Sequence, residues 1–158
     1  MEQIALGIDL GGTRIKGVIL RDGKVADSLY FPTGEGDSFK DAVKSAVEQL
    51  QAAAGGKATI VGLSAPGIPD AANRSIAVMP GRLPGLEGFN WSDHLGMQAW
   101  VLNDAVCALV AEARLGAATA YQDVVMLTLG TGVGGAIMIG GKPQIGRATS
   151  ELQSRLHL

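Results

Sequence analysis

The sequence predicts an α/β fold, and three patterns in it carry this prediction. The chain opens with three β-prone apolar runs, at residues 4–10, 16–20 and 25–31, and Asp22-Gly23 separates the last two. An Asp-Gly pair between apolar runs is typical of a tight hairpin turn. Helical patterns then alternate with further short apolar runs, and most of the 23 glycines lie where such a run ends. A β meander followed by alternating helices and strands predicts an α/β domain.

The first helix is predicted between Asp37-Ser38 and Gly55-Gly56. We expect Ser38 and Asp41 to form a capping box at its start, and the two glycines to end it. Apolar side chains recur at the spacing of one helix face, which predicts a single buried stripe. The residues of this stripe are Phe39, Ala42, Val43, Ala46, Val47 and Leu50.

Four further strands are expected in the rest of the chain, at residues 59–63, 99–102, 124–129 and 136–139. Residues 71–96 are rich in loop-forming residues, and we expect His94 among them to face solvent. A helix is predicted over residues 105–115, with Gly116 at its end. Its first half is apolar on all sides, so we expect burial on several sides, with Cys107 as a small buried residue.

Composition excludes several classes of protein. The 158 residues are 47% hydrophobic, and no apolar run reaches the roughly 18 residues of a membrane span. The first residues lack the pattern of a secretory signal. A net charge of −2 argues against binding nucleic acid through counterion release. The single cysteine excludes a disulfide or a cysteine-rich zinc site within one chain. We therefore expect a cytoplasmic protein without a zinc site.

The first glycine loop follows the opening strand, which ends at Asp9 and Leu10 before Gly11, Gly12 and Thr13. Glycine lets backbone N–H groups approach an anion closely, and a nest of such groups suits phosphate. The Thr13 hydroxyl adds a donor, and Asp9 could hold Mg²⁺ directly or through water. The alternative is a plain β-hairpin whose glycines serve only its turn.

A second stretch, residues 129–142, repeats the order of residues 10–24: strand, glycine-threonine loop, strand and Gly-Lys turn. Chance similarity of two hairpins is one explanation, and two related half-molecules with one phosphate loop each are the other. The second loop contains G-x-G-x-x-G at Gly130, Gly132 and Gly135. The Rossmann form of this motif needs a helix next, but a β-like run follows. The protein-kinase form needs a lysine strand and a catalytic loop that this sequence lacks.

Asn103 and Asp104 lie where a strand meets the start of a predicted helix. Aspartate is a favoured helix cap, so a structural role for Asp104 is one interpretation. An ionised aspartate can also accept the proton of an alcohol that attacks a phosphoryl group. Asn103 beside it could orient a polyol by hydrogen bonding.

Five segments together resemble the ROK family of bacterial sugar kinases and related repressors, within the actin-like ATPase superfamily. They are GIDLGGTRIKG, GLSAPGIPD, LPGLEG, LNDAVCALVAEARLG and LTLGTGVGGAIMIGGKPQIG, and they follow the family's order over most of residues 4–146. The resemblance implies an ATP- and Mg²⁺-dependent kinase acting on a hexose or amino-hexose hydroxyl. It implies an actin-like, ribonuclease H-like N-terminal domain with a mixed sheet, followed by the first hairpin of a second domain.

The resemblance also implies roles for individual residues. Asp104 would be the catalytic base, while Asn103 and Gly67 would bind the sugar. The first phosphate loop would be formed by Gly11, Gly12 and Thr13, and the second by Gly130, Thr131 and Gly132.

Members of this family are roughly twice as long, so we expect the chain to correspond to an N-terminal part that is inactive alone. Residues 1–118 would form the sugar-binding, catalytic-base domain, and residues 119–158 the start of a truncated nucleotide-binding domain. His157 is not in the family context and is not expected to be a ligand. The alternative function is a non-catalytic sugar-binding or regulatory module. Because the predicted C-terminal hairpin would leave open edges and an apolar face, we expect a homodimer, with a mobile hairpin as the alternative.

Overall fold

The computed structural model describes residues 2–79, 83–129 and 133–144, with the backbone alone described at residue 133. The chain forms two compact units, Met1–Leu102 and Asn103–Leu158. The second unit includes the helix before residue 118. The domain boundary at that residue stays a prediction.

The first unit is built on a five-stranded mixed sheet with the strand order β3-β2-β1-β4-β7. β1 pairs antiparallel with β2 and parallel with β4, which confirms the predicted α/β class. Its elements in chain order are β1 (Ile4–Leu10), β2 (Arg14–Arg21), β3 (Lys24–Pro32), a 3₁₀ turn (Gly36–Ser38), α1 (Phe39–Ala53), β4 (Ile60–Ala65), β5 (Ile68–Pro69), β6 (Ile76–Val78), α2 (Trp91–Leu95) and β7 (Gln98–Asn103).

The turn between β2 and β3 is the predicted Asp-Gly turn. Asp22 has φ of 48° and Gly23 has φ of 78°. Positive φ at both central residues is the type I′ geometry whose twist suits a two-residue hairpin.

Helix α1 covers one face of this sheet with the predicted apolar stripe. Its residues Phe39, Val43, Ala46, Val47 and Leu50 are buried, whereas Ala42 is half-buried at the edge of the stripe. They pack against the alternate residues of β1 that face the helix, which are Ile4, Leu6, Ile8 and Leu10. A strand whose alternate residues are buried under a helix presents its other residues on the opposite face of the sheet.

The predicted capping box at Ser38 is wrong. Ser38 has helical backbone angles, φ −66° and ψ −14°, and its side chain caps no helix N–H. Its hydroxyl instead donates to the Glu35 carbonyl at 2.6 Å. The 3₁₀ turn before α1 starts the helical conformation earlier than the sequence pattern indicates.

The segment predicted as loop-rich contains β6 and α2, and it contributes to the core. Trp91 is fully buried, with its ring centroid 4.9 Å from that of Phe89 and 6.3 Å from that of Phe39. The prediction that His94 faces solvent is wrong. Its ring is half-buried, 5.1 Å from the Phe89 centroid, and its Nε2 lies 3.1 Å from the Lys40 carbonyl oxygen.

The second unit consists of one helix and one antiparallel sheet with the order β10-β9-β8. Its elements are α3 (Asp104–Leu115), β8 (Val124–Leu129), β9 (Val133–Ile139) and β10 (Lys142–Gln144). The sequence analysis missed β10 and treated β8 and β9 as a hairpin alone. α3 packs on one face of the sheet, where Ala105, Val106 and Leu109 join Ala136 and Met138 in a small buried cluster.

The expectation that α3 is buried on several sides is wrong. Only one face of the helix is buried, Ala111 is exposed, and Cys107 is half-buried. None of the described helices is both long enough and apolar enough to span a membrane.

Candidate functional site

Asp9 lies near the carboxyl end of β1, on the face of the sheet opposite α1, and it is exposed. The strand register places a row of four residues on this face. Lys16 on β2 is paired with Asp9 and with Tyr30 on β3. On the other side, Ser64 on β4 is paired with Asp9, and its hydroxyl donates to Asp9 Oδ1 at 2.9 Å. The row therefore carries one carboxylate and one ammonium on adjacent strands.

The loop of Gly11, Gly12 and Thr13 follows this row, and hydrogen bonds from Thr33, the residue after β3, hold it in place. Thr33 is fully buried, and its hydroxyl donates to the Gly11 carbonyl at 2.8 Å. The Thr33 amide donates to the Thr13 carbonyl at 3.2 Å, and the Gly11 amide donates to the Arg14 carbonyl at the same distance. These bonds hold the loop in one conformation from its inner side.

The two glycines of this loop differ in what an added side chain would meet. A Cβ at Gly11 would lie 2.6 Å from the Arg14 carbonyl oxygen, so packing within the loop excludes a side chain there. A Cβ at Gly12 would meet nothing within 4 Å, and the φ of Gly12 is not in the left-handed region. The fold itself does not require glycine at residue 12. Open space above a fixed loop is what the close approach of a ligand needs.

Gly67 occupies a position that only glycine fits. Its φ is 103°, and a Cβ there would lie 2.6 Å from Ile76 Cγ2 and 2.7 Å from the Val78 carbonyl oxygen. Packing against β6 and the backbone conformation therefore explain this glycine without a ligand. Its predicted contact with sugar stays a prediction.

Asp70 lies after β5 and organises the tight loop that leads to β6. Its carboxylate accepts bonds from the amides of Ala72, Arg74 and Ser75 at 2.8, 3.1 and 3.0 Å, and from the Ser75 hydroxyl at 2.6 Å. The Ser75 hydroxyl, followed by the Arg74 amide, lowers the pKa of Asp70 from 3.8. The loop that follows Gly67 is therefore held by an ionised carboxylate.

Asn103 and Asp104 start the second unit, and the structure separates their roles. Asn103 is the N-cap of α3, because its Oδ1 accepts from the amides of Ala105 and Val106 at 3.0 and 3.2 Å. Asp104 is the first residue of the helix and is exposed, and its Oδ1 accepts only from the adjacent Ala105 amide, at 2.8 Å, among the bonds recorded for the described residues. The interpretation of Asp104 as the helix cap is therefore wrong. The side-chain amide oxygen of the neighbouring Asn103 acts as the cap instead.

Gly130, Thr131 and Gly132 lie outside the described residues. β8 and β9 flank them as antiparallel strands, with Leu129 paired with Val133, so the two predicted strands are confirmed. Whether this loop, Asp9 and Asp104 form one cleft stays a prediction.

Asp9 fits a magnesium ion that is held mainly by other ligands. In the described part of the chain, no three histidine, cysteine, aspartate or glutamate side chains converge on one point. Mg²⁺ in phosphoryl-transfer sites is commonly bound by one or two carboxylates, with phosphate oxygens and water as the remaining ligands. Asp9, an exposed carboxylate beside a glycine loop, suits the role of such a carboxylate ligand.

The sequence analysis missed Thr33, Ser64 and Lys16. Ser64 and Lys16 become visible only when the strand register is known, because pairing between neighbouring strands, and not a local sequence pattern, places each of them beside Asp9. Thr33 follows the end of β3, and no local pattern marks it as the residue that fixes the glycine loop.

Comparison with known proteins gives consistent results. A sequence model of the ROK family matches residues 5–152. A glucokinase of Thermotoga maritima is 30% identical over 148 residues, which are 90% of this chain and 46% of that protein. An N-acetyl-D-glucosamine kinase of Escherichia coli is 31% identical over 149 residues, which are 90% of this chain and 48% of that protein.

Solved structures show the same relationship. A ROK family glucokinase from Streptomyces griseus, solved in complex with glucose and AMPPNP, superposes with a TM-score of 0.80 at 30% identity. The match covers 91% of this chain and 47% of that one. The chain thus spans about half the length of the relatives it matches. Its strands, its glycine loop at residues 11–13 and its match over residues 5–152 agree, and the chain belongs to the ROK family.

Proposed function

We propose that the protein containing this chain phosphorylates a hydroxyl of a hexose or amino-hexose, with ATP as the donor. The similar glucokinase and N-acetyl-D-glucosamine kinase support this class of reaction. The observation that carries the proposal is the exposed Asp104 carboxylate at the start of α3, next to an asparagine that already caps the helix. Because the helix does not need Asp104 as its cap, its carboxylate is available for chemistry.

In this proposal Asp104 accepts the proton of the sugar hydroxyl. The hydroxyl oxygen then forms a bond to the γ-phosphorus, and the bond from that phosphorus to the leaving oxygen of ADP breaks. Asn103 and Gly67 orient the sugar. Two loops, Gly11–Thr13 and Gly130–Gly132, bind phosphate oxygens, and Asp9 holds Mg²⁺. The ion, when bound, neutralises charge that develops on those oxygens.

Phosphoryl transfer depends on positioning the donor and stabilising its charge from both sides. Since the chain spans about half of its relatives, we propose that the 158 residues alone are inactive or nearly so. The cytoplasmic location also stays a prediction.

A coupled ADP-release assay with a panel of hexoses tests this function. The panel is glucose, fructose, N-acetylglucosamine and N-acetylmannosamine, and it is applied to this chain and to any longer polypeptide that contains it. We expect turnover from the longer polypeptide only. Robust turnover by the 158 residues would overturn the claim that they are inactive. Calorimetric sugar binding without any phosphate transfer by the longer polypeptide would favour the non-catalytic module.

We also propose that this chain forms a homodimer through the second unit. The sheet face opposite α3 exposes Val125, Leu127, Leu129 and Ile139, at 64%, 52%, 82% and 58%. β8 is an edge strand among the described residues, and a groove of about 570 Å³ runs between it and α3. An open strand edge beside an apolar face favours pairing with another chain. Because β10 extends it and α3 packs on it, this sheet is more stable than a lone hairpin would be. They nevertheless leave the face opposite α3 open.

A further inference from the structure

The row across the first sheet places two opposite charges on neighbouring strands. Asp9 and Lys16 are directly paired in the register of β1 and β2, and both are exposed. Side chains paired in this way have Cβ atoms about 4.5–5.5 Å apart, and opposite charges at such positions usually attract. Yet among the described residues no carboxylate lies within 4.0 Å of the Lys16 ammonium. The two groups therefore form no ion pair, although the register places them side by side.

Each charged group has a different partner on its far side. The Ser64 hydroxyl donates to Asp9 Oδ1 at 2.9 Å, which turns the carboxylate toward β4. The Lys16 ammonium lies 5.9 Å from the centroid of the Tyr30 ring, on β3. The Arg14 guanidinium lies over the same ring at 4.8 Å. The carboxylate and the ammonium therefore point away from each other along the row.

We propose that Ser64 is a positioning residue that keeps the Asp9 carboxylate from closing onto Lys16. The inference rests on the proposed function, in which Asp9 holds the metal. A carboxylate in an ion pair must break that pair before it binds a cation, whereas a carboxylate held by a hydroxyl keeps its negative charge and its second oxygen for the metal. Hydroxyl donors that orient a ligating carboxylate commonly affect metal affinity strongly.

Stabilisation of the sheet explains the hydrogen bond between Ser64 and Asp9 less well than orientation of the carboxylate does. β1 and β4 are already joined by parallel pairing from Ala5 with Ile60 to Asp9 with Ser64. The bond lies at the exposed end of that ladder, where it adds little to the pairing of the strands. Its clear consequence is the orientation of Asp9.

The test is a double-mutant cycle on the 158-residue chain, with Mn²⁺ as a paramagnetic probe in place of Mg²⁺ and with inorganic triphosphate to supply the phosphate ligands. Bound Mn²⁺ is measured by electron paramagnetic resonance for the wild type, Ser64→Ala, Lys16→Met and the double variant. We expect Ser64→Ala to weaken binding roughly tenfold or more. Lys16→Met should then recover most of this loss in the double variant, and should change the wild type much less. Ser64→Thr, which keeps the hydroxyl, should bind as the wild type does.

Two results would overturn the inference: unchanged Mn²⁺ affinity in Ser64→Ala, or the same factor from Lys16→Met in both backgrounds. A second measurement does not depend on the metal. The side-chain ¹⁵N resonance of Lys16 should show a new ion pair in Ser64→Ala and none in the wild type, and an unchanged resonance would also overturn the inference. Asp9→Asn separates the two proposals, because unchanged Mn²⁺ binding there would refute the metal role of Asp9 in the proposed function. Thermal unfolding of each variant checks that the fold is kept.

Discussion

The β meander at the start of the chain and the β meander of the second unit have the same order of strands and turns, but different surroundings. Residues 11–13 and Asp22-Gly23 join β1, β2 and β3, while residues 130–132 and Gly140-Gly141 join β8, β9 and β10. Both two-residue turns have positive φ at each position. In the first meander the outer edge of β1 pairs with β4, whereas β8 is the edge strand of its sheet among the described residues.

The side chains on the sheet faces away from the helices also differ between the two meanders. On β1 they are Ala5, Gly7 and Asp9, which are small or polar, whereas on β8 they are Val125, Leu127 and Leu129, which are large and exposed. Two-residue turns with positive φ at both positions, Asp-Gly in one place and Gly-Gly in the other, thus accompany the same order of strands in both places. The outward-facing residues thus differ in kind: the open face of the first sheet carries the proposed site, and that of the second carries the proposed dimer contact.

The largest effect is expected at the helix that covers the second meander. Asp104→Asn should lower turnover by roughly 10²–10⁴-fold in an active polypeptide that contains this chain, because the proposed general base is lost. The melting temperature should stay close to that of the wild type, because Asn103 caps α3. Turnover and thermal unfolding are measured together. Retained activity with a large loss of stability would show that Asp104 is structural.

Asn103→Ala is the matched control for that helix. It removes the two cap bonds, so the free energy of unfolding of the second unit should fall by about 0.5–2 kcal/mol.

The next prediction compares how a charge on the exposed face of each meander changes the oligomeric state. Val25 on β3 and Val125 on β8 are each 64% exposed. Val125→Glu should convert a dimer to a monomer, because a charge would enter the proposed apolar contact. Val25→Glu should leave the mass unchanged. Light scattering coupled to size exclusion reports both masses, and a monomeric wild type with slow hydrogen exchange over residues 124–139 would contradict the dimer.

A smaller effect is expected from a glycine of the first unit. Gly67→Ala should cost about 1–3 kcal/mol in the free energy of unfolding, because φ of 103° and the Val78 carbonyl both oppose a side chain. Gly12→Ala should change stability by less than about 0.5 kcal/mol, since the space around it is open. Chemical denaturation of both variants distinguishes packing from space kept for a ligand. Equal losses would remove the argument that residue 12 is open for a ligand.

The smallest effect depends on pH and on Asp70. Because hydrogen bonds lower the pKa of this carboxyl in the folded state, its contribution is present above the unfolded pKa of about 4 and is lost as the pH falls through the lowered value. Asp70→Asn should therefore flatten the loss of stability below about pH 4. Melting temperatures of both proteins from neutral pH downward test this, and parallel curves would contradict it.

The elements were predictable where a local pattern decides them. The bounds of β1 and β8 were predicted without error, and the stripe of α1 was confirmed, because period-2 and helical spacing act within a few residues. The cap of α1 was wrong because the preceding 3₁₀ turn competes with it. The burial of α3 was wrong because sequence shows which residues are apolar, but not how many neighbours the fold supplies.

The candidate site was predictable only along the chain. Asp9 and Gly11–Thr13 were found because strand, carboxylate and glycines are consecutive, and Asn103-Asp104 was found from a strand-to-helix junction. Ser64, Lys16 and Thr33 were missed because strand register and tertiary hydrogen bonds bring them to Asp9 and its loop. The sequence could not show that Asn103, and not Asp104, is the N-cap of α3, because both residue types can adopt the backbone geometry of a cap.

The fully buried Trp91 makes the first unit optically distinct from the second. The sequence contains two tryptophans, Trp91 and Trp100, and both lie in the first unit. Emission excited at the red edge of the indole band therefore reports the melting of residues 1–102 alone, whereas Tyr121 is the fluorophore that remains for residues 103–158. Tyr30 in the first unit also contributes tyrosine emission, so Tyr30→Phe leaves Tyr121 as the single tyrosine reporter of the second unit. In that variant the two units can be followed as separate unfolding signals without any added dye, and a common midpoint would mean that the units melt cooperatively.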